Sequence, residues 1–242
     1  MRAFAPAPAP APRVVDRTPR APSPAMRASS SSSSSSSAAA ATHVYAVSDV
    51  HVEYAANMAW VRGLRARDAS TSTSSPAPTS TTRVLCVAGD VSDDIDAVEA
   101  CLREFQRRYD VVAYTFGNHE LWLNAGDAAR GIDDSLAKID AILRACASIG
   151  VVTTPVLVND DVWVAPIHSY HHKSWDDEAN VAEAVPPVES VMGDFRFSKF
   201  RNLDPRTEDV ARYCDALNDV NDGWNAFLDA VKPEHKIVSM SH

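Results

Sequence analysis

Four short runs in this chain carry side chains able to hold cations: Asp49-Val50-His51, Gly89-Asp90, Gly117-Asn118-His119-Glu120 and Ser241-His242. Carboxylate, imidazole and side-chain carbonyl groups are common donors to catalytic divalent metals. Each run follows an apolar stretch that reads as a strand, at residues 45–48, 84–88, 111–116 and 237–240. Ligands at the ends of neighbouring strands converge on one edge of a sheet, which is where open α/β folds place their sites. A lone Asp-x-His or Gly-Asp is more often a turn or a helix cap. The argument therefore rests on the ordered series. In extended chain, residues two apart point the same way, so Asp49 and His51 are expected to reach one ion together.

The elements that must position these groups alternate between strand and helix. A helix is predicted over 57–67, and residues 70–82, rich in Ser, Thr and Pro, read as an exposed insertion loop. Ile95, Val98, Leu102, Phe105 and Tyr109 hold a helical period, with Glu99 and Arg103 as an i,i+4 pair on the wet side. A further helix over 132–149 is closed by Gly150 as a left-handed cap. Short strands follow at 151–152, 156–158 and 162–165, and then one or two helices over 207–231, interrupted near Gly223. A run of three strands after βαβ units predicts a second sheet packed on the first.

The order and setting of the motifs resemble the calcineurin-like metallophosphoesterases, in particular a plant and algal branch, from about His43 onwards. The resemblance implies an α/β fold, an αββα sandwich of two mixed sheets flanked by helices. It also implies two divalent metal ions, Mn, Fe or Zn, that clamp a phosphoryl group and turn water into a nucleophile. Carried onto this sequence, Asp49 and His51 would serve the first ion, Asn118 and His242 the second, and Asp90 would bridge both. His119 would then be free of metal and act as the catalytic proton donor or charge stabiliser. Glu120 reads as a group that orients a neighbouring ligand. The family closes its site with a later Gly-His-x-His motif. The chain stops at His242, where that region begins, so the sequence reads as a C-terminally truncated domain.

The segment 166–176 crowds His168, His171 and His172 with aromatic residues and Lys173, a composition suited to the rim of a substrate pocket. Adjacent strand residues point oppositely, so His171 and His172 are not expected to serve one metal. The resemblance implies a substrate-binding role for His172, which sits where the plant and algal branch has a histidine after an aromatic pair; the alternative is an exposed loop histidine.

Composition narrows the function. Residues 1–41 are Ala, Pro and Ser with five arginines against one acid, Asp16, and an unbroken serine run from Ser29 to Ser37. Such a segment has too little apolar area to fold and reads as a disordered leader, with the composition of a plastid or mitochondrial transit peptide. Without that address the protein would be cytoplasmic. The remainder, 42–242, forms one catalytic domain. Five of the 23 basic and one of the 32 acidic residues fall in the leader, so the remainder carries 18 basic against 31 acidic groups, a net of −13. That charge argues against polynucleotide partners, and no apolar stretch has the length of a membrane span. The expected partner is a small phosphate ester, mono- or diester. Cys86, Cys101, Cys146 and Cys214 show no metal or disulfide spacing and read as packed thiols. A non-catalytic interaction protein or an inert fragment that keeps the fold is the alternative.

Overall fold

A computed structural model describes residues 41–64, 81–175, 177, 186–220 and 223–242. The predicted leader and most of the predicted insertion loop lie outside the described residues. Three parallel strands form the first sheet in the order β1 (Thr42–Ser48), β2 (Thr82–Ala88) and β3 (Val111–Thr115). Parallel neighbours need crossovers, and α1 (Ala55–Gly63) and α2 (Ile95–Gln106) stand in the two connections. The first helix begins and ends earlier than its pattern suggested. Asp94 caps α2, its side chain accepting the Ala97 N–H at 2.9 Å, and Arg103 meets Glu99 as expected, at 2.7 Å.

After β3 the chain makes a 3₁₀ turn at His119–Leu121, then α3 (Ala125–Ala129) and α4 (Ser135–Ile149). Gly150 ends α4 at φ +76°, a conformation that glycine reaches without Cβ strain. The predicted strand at 151–152 is reduced to a single bridge between Val152 and Ala113. Pro155, which has no N–H for a ladder, then separates it from β4 (Val156–Leu157). The second sheet has β5 (Val162–Pro166) at its centre, antiparallel to β4 and parallel to β6 (Lys236–Met240). Between β5 and β6 come two single-turn helices, α5 (Val188–Val191) and α6 (Asp194–Phe197), and then α7 (Asp209–Asn218) and α8 (Gly223–Ala230).

Alternation along β2 and β3 explains the layering. Val84, Cys86 and Ala113 face the second sheet and pack on Val164, Val238 and Met240. Leu85, Val87, Val112 and Tyr114 face the other way, onto Val98, Leu102 and Phe105 of α2 and Ile139 and Ile142 of α4. Trp163 and Ala165 on the far side of the second sheet pack on Phe227 of α8. The order helix, sheet, sheet, helix is the predicted αββα sandwich. All four cysteines are buried and free, and burial raises the Cys86 thiol to about 11 and the others to about 12, so they act as small apolar side chains.

His168, at the end of β5, is 3 % exposed. It stacks on Phe116 at 4.8 Å and lies 3.1 Å from Thr115 Oγ1. Burial lowers its pKa to about 4. The unfolded imidazole gains a proton as pH falls through about 6.5, whereas the folded one does so only near 4. Its contribution to stability is therefore complete above pH 6.5 and is lost as pH falls between those values. A shift of this size corresponds to on the order of 3 kcal/mol. Urea unfolding between pH 4.5 and 7 should show this slope, and His168→Asn should flatten it; an unchanged slope in the variant would refute the assignment.

Candidate metal centre

The edge formed by the C-terminal ends of β1, β2, β3 and β6 carries the site. Asp49, His51 and Asp90 all have positive φ, at 52°, 46° and 51°, in the left-handed region that non-glycine residues rarely enter. Neighbouring backbone holds them there. Asp49 N–H donates to Gly89 O at 3.2 Å and His51 N–H to Asp90 O at 3.1 Å, so the loop after β1 is laced to the loop after β2. Gly117 passes so close behind Asp90 that a Cβ there would lie 2.6 Å from the Asp90 nitrogen and 2.8 Å from the His242 ring. Glycine is the residue that fits.

Two clusters of donor atoms result, and Asp90 belongs to both. One joins His51, Asp90 and His119; the other joins Asp49, Asp90 and His242, with the donor atoms of each within 4.8 Å of one another. Asp90 is 4 % exposed. Its Oδ2 faces His51 Nε2 at 3.9 Å and His119 Nε2 at 3.8 Å, and its Oδ1 faces His242 Nε2 at 3.4 Å. Asp49 and His51 thus stand in different three-donor groups that meet at Asp90. Alternation of side chains requires extended backbone, and the chain leaves that region after Ser48.

The donor chemistry fits a cation. His242 Nδ1 lies 2.9 Å from Ala88 O, which can only accept, so the ring proton sits on Nδ1. His242 Nε2 then faces Asn118 Oδ1 at 3.2 Å and Asp90 Oδ1 at 3.4 Å, two oxygens that accept. Two oxygens and an imidazole nitrogen this close together call for positive charge among them, which a bound cation would supply, as would a proton on Nε2. His51 is prepared in the same way: its Nδ1 pairs with Glu53 Oε1 at 3.0 Å, leaving Nε2 for the cluster. Pinning one imidazole nitrogen so that the other can bind metal is the usual arrangement of metal-site histidines.

Two supports were not visible in the sequence. Asp194 Oδ1 accepts from Asn118 Nδ2 at 2.8 Å and from Trp122 Nε1 at 2.7 Å. The first bond turns the Asn118 carbonyl towards His242. The second holds the indole on which the His119 ring stacks, 3.6 Å between centroids. The other support is Lys138, fully buried on α4. It pairs with Asp127 at 2.8 Å and donates to the carbonyls of Asp93 and Trp122, tying together the loops that carry Asp90 and His119.

His172 is not brought to the site. Its Nδ1 meets Glu208 Oε2 at 2.7 Å and its Nε2 meets Asp215 Oδ2 at 3.1 Å. Desolvation lowers the imidazole pKa, but those two carboxylates outweigh it and raise the value overall. The stability this pair adds is therefore present below pH 6.5 and lost as pH rises through the raised value, opposite in sense to His168. His171 lines a cavity of about 360 Å³ that also reaches Gly117, Asn118 and His242.

Comparison with known proteins agrees with this architecture. The model of the calcineurin-like phosphoesterase family matches residues 42–190, more than half of the chain. The chain belongs to that family, whose members are hydrolytic enzymes. It is 30 % identical over 110 residues to the [acyl-carrier-protein] phosphodiesterase PptH of Mycobacterium tuberculosis, a match covering 46 % of this chain and 30 % of that protein's length. The crystal structure of phosphopantetheinyl hydrolase (PptH) from the same organism superposes with a TM-score of 0.57 at 23 % identity, covering 84 % of this chain and 68 % of that one. The fold class expected from the sequence is therefore observed. Among the described residues, no helix is long and apolar enough to cross a membrane.

Proposed function

We propose that this chain hydrolyses phosphate esters with two divalent cations held by Asp49, His51, Asp90, Asn118 and His242, Asp90 being shared. The observation that carries this reading is the convergence of His242 Nε2, Asn118 Oδ1 and Asp90 Oδ1 beside a second cluster built on the same carboxylate. Cations bound there would offset phosphoryl charge and lower the pKa of water. Mn, Fe and Zn all accept this mix of oxygen and nitrogen donors.

The chain's own groups supply the rest. His119, braced on Trp122 and next to Asp90, is placed to give a proton to the leaving oxygen as a water oxygen bonds to phosphorus and the phosphorus–ester bond breaks. The PptH likeness, as an [acyl-carrier-protein] phosphodiesterase, supports a diester in preference to a monoester. Hydrolysis of methyl p-nitrophenyl phosphate by the Mn²⁺-loaded protein, abolished by chelator, tests the reading. A metal-loaded, folded protein inert to both mono- and diester reporters refutes it.

Asp194 acts through Asn118. Asp194→Ala frees the amide to rotate and is expected to weaken the cation site at Asn118 and His242 by roughly 10–100-fold, the usual size of an outer-support loss. Asp194→Asn keeps the one oxygen that accepts both bonds and should stay within a few-fold of the parent. Metal titration by calorimetry separates the two. Equal affinity in the alanine variant would show that Asn118 needs no such support.

A further inference from the structure

The cavity beside Asn118 and His242 changes character along its length. Gly117, Asn118 and His242 line it at the metal centre, and the rest of the wall is mostly apolar, Leu121, Tyr170, Val188, Met192, Phe195 and Pro205, with Ser169, His171 and Asp194 as its polar members. No lysine or arginine is among the described residues that line it. Its acid, Asp194, has one oxygen already accepting from Asn118 and Trp122. At about 360 Å³ the cavity lies within the usual size of small-molecule sites, about 300–1,000 Å³.

We infer that this cavity seats the organic arm of a phosphodiester and selects a neutral, apolar arm, alkyl or aryl, over a sugar or an anionic group. The inference rests on the hydrolase reading and adds a substrate class to it. Charge disfavours an anionic arm: a second phosphate would meet no lysine or arginine on this wall and would face Asp194. A sugar would place most of its hydroxyls against Leu121, Val188, Met192 and Phe195, where they lose water, with only Ser169, Tyr170, His171 and Asp194 to offer partners. An apolar arm buries against those same residues, while the phosphoryl group reaches the end where Asn118 and His242 stand.

A series of p-nitrophenyl phosphodiesters with a constant leaving group and a second arm of methyl, butyl, hexyl or thymidine tests this. Binding of the matching n-alkyl methylphosphonates, followed by calorimetry on the metal-loaded protein, gives a readout independent of turnover. Each added methylene should raise kcat/KM and affinity by roughly threefold to fourfold until the cavity is full, with the thymidine ester below the hexyl ester. Met192→Asp and Phe195→Ser, with folding checked by urea denaturation, should bring the hexyl-to-methyl ratio close to one. Turnover with no dependence on arm length, a preference for thymidine, or a ratio unchanged in both variants overturns the inference and leaves the hydrolase reading standing. Chain-length-dependent binding with no turnover of any ester does the reverse.

Discussion

Asp90→Asn is expected to empty both cation positions and to lower diester turnover by roughly 10³-fold or more. Asp90 alone belongs to both donor clusters, with one oxygen facing His51 and His119 and the other facing His242. Asparagine keeps one oxygen but loses the charge, and it turns an NH₂ group towards imidazole nitrogens or the space between them. Metal catalysis contributes several kcal/mol of charge stabilisation, and about 4 kcal/mol corresponds to roughly a thousandfold. The comparison is His119→Ala, which should lower turnover while keeping metal if His119 is a proton donor. Elemental analysis after dialysis reads both. Should His119→Ala release metal as fully as Asp90→Asn, then His119 is a ligand and the proton comes from elsewhere; its place in the cluster with His51 makes that measurement decisive.

Glu120→Ala is expected to cost on the order of 4 kcal/mol or more, enough to leave much of the protein unfolded. Glu120 is fully buried, and its two oxygens accept four backbone N–H groups: Asp90 at 3.0 Å and Gly117 at 2.7 Å on Oε2, Val91 at 2.6 Å and Ser92 at 3.3 Å on Oε1. Burial raises its pKa, although these backbone donors pull in the opposite direction. An unsatisfied buried donor costs about 1–3 kcal/mol, and four together approach the whole margin of a typical domain, about 5–15 kcal/mol. Glu120→Gln keeps one accepting oxygen and should lose about half as much. Urea denaturation midpoints give the ordering parent, Gln, Ala. An alanine variant within 1 kcal/mol of the parent would mean that water takes over the four donors.

These residues show where sequence reasoning succeeds and where it stops. Its place after Asn118-His119 assigns Glu120 to orienting a neighbouring ligand, and in the structure it grips the backbone of the loop carrying Asp90. The strands were legible because β2 and β3 are apolar runs buried on both faces, and the site edge because each run ends in a glycine or a potential ligand. Gly150 was legible for a local reason, since the conformation it adopts penalises a Cβ. The division of ligands between the clusters was not, because it depends on the φ angles of Asp49 and His51 rather than on spacing. Lys138 sits on a helix as any surface lysine would, and its buried partner Asp127 comes from another helix. Asp194 lies 76 positions from Asn118, on a four-residue helix too short to show a period. Long-range polar contacts of this kind leave no local trace.

The left-handed backbone at Asp49, His51 and Asp90 separates what keeps this protein folded from what makes the site. Residues held in such conformations cost of order 1–3 kcal/mol each, less for aspartate than for histidine. Glycine at Asp49 or His51 would relieve that strain while deleting a candidate cation donor, whereas at Asp90 it would also leave the His119 N–H without the Oδ1 it donates to at 3.0 Å. A library of variants screened for heat tolerance alone is therefore expected to enrich glycine at Asp49 and His51 and, on the proposed function, to return sturdier proteins that hold metal less well. Any breeding of this fold for durability has to select on metal retention in the same round.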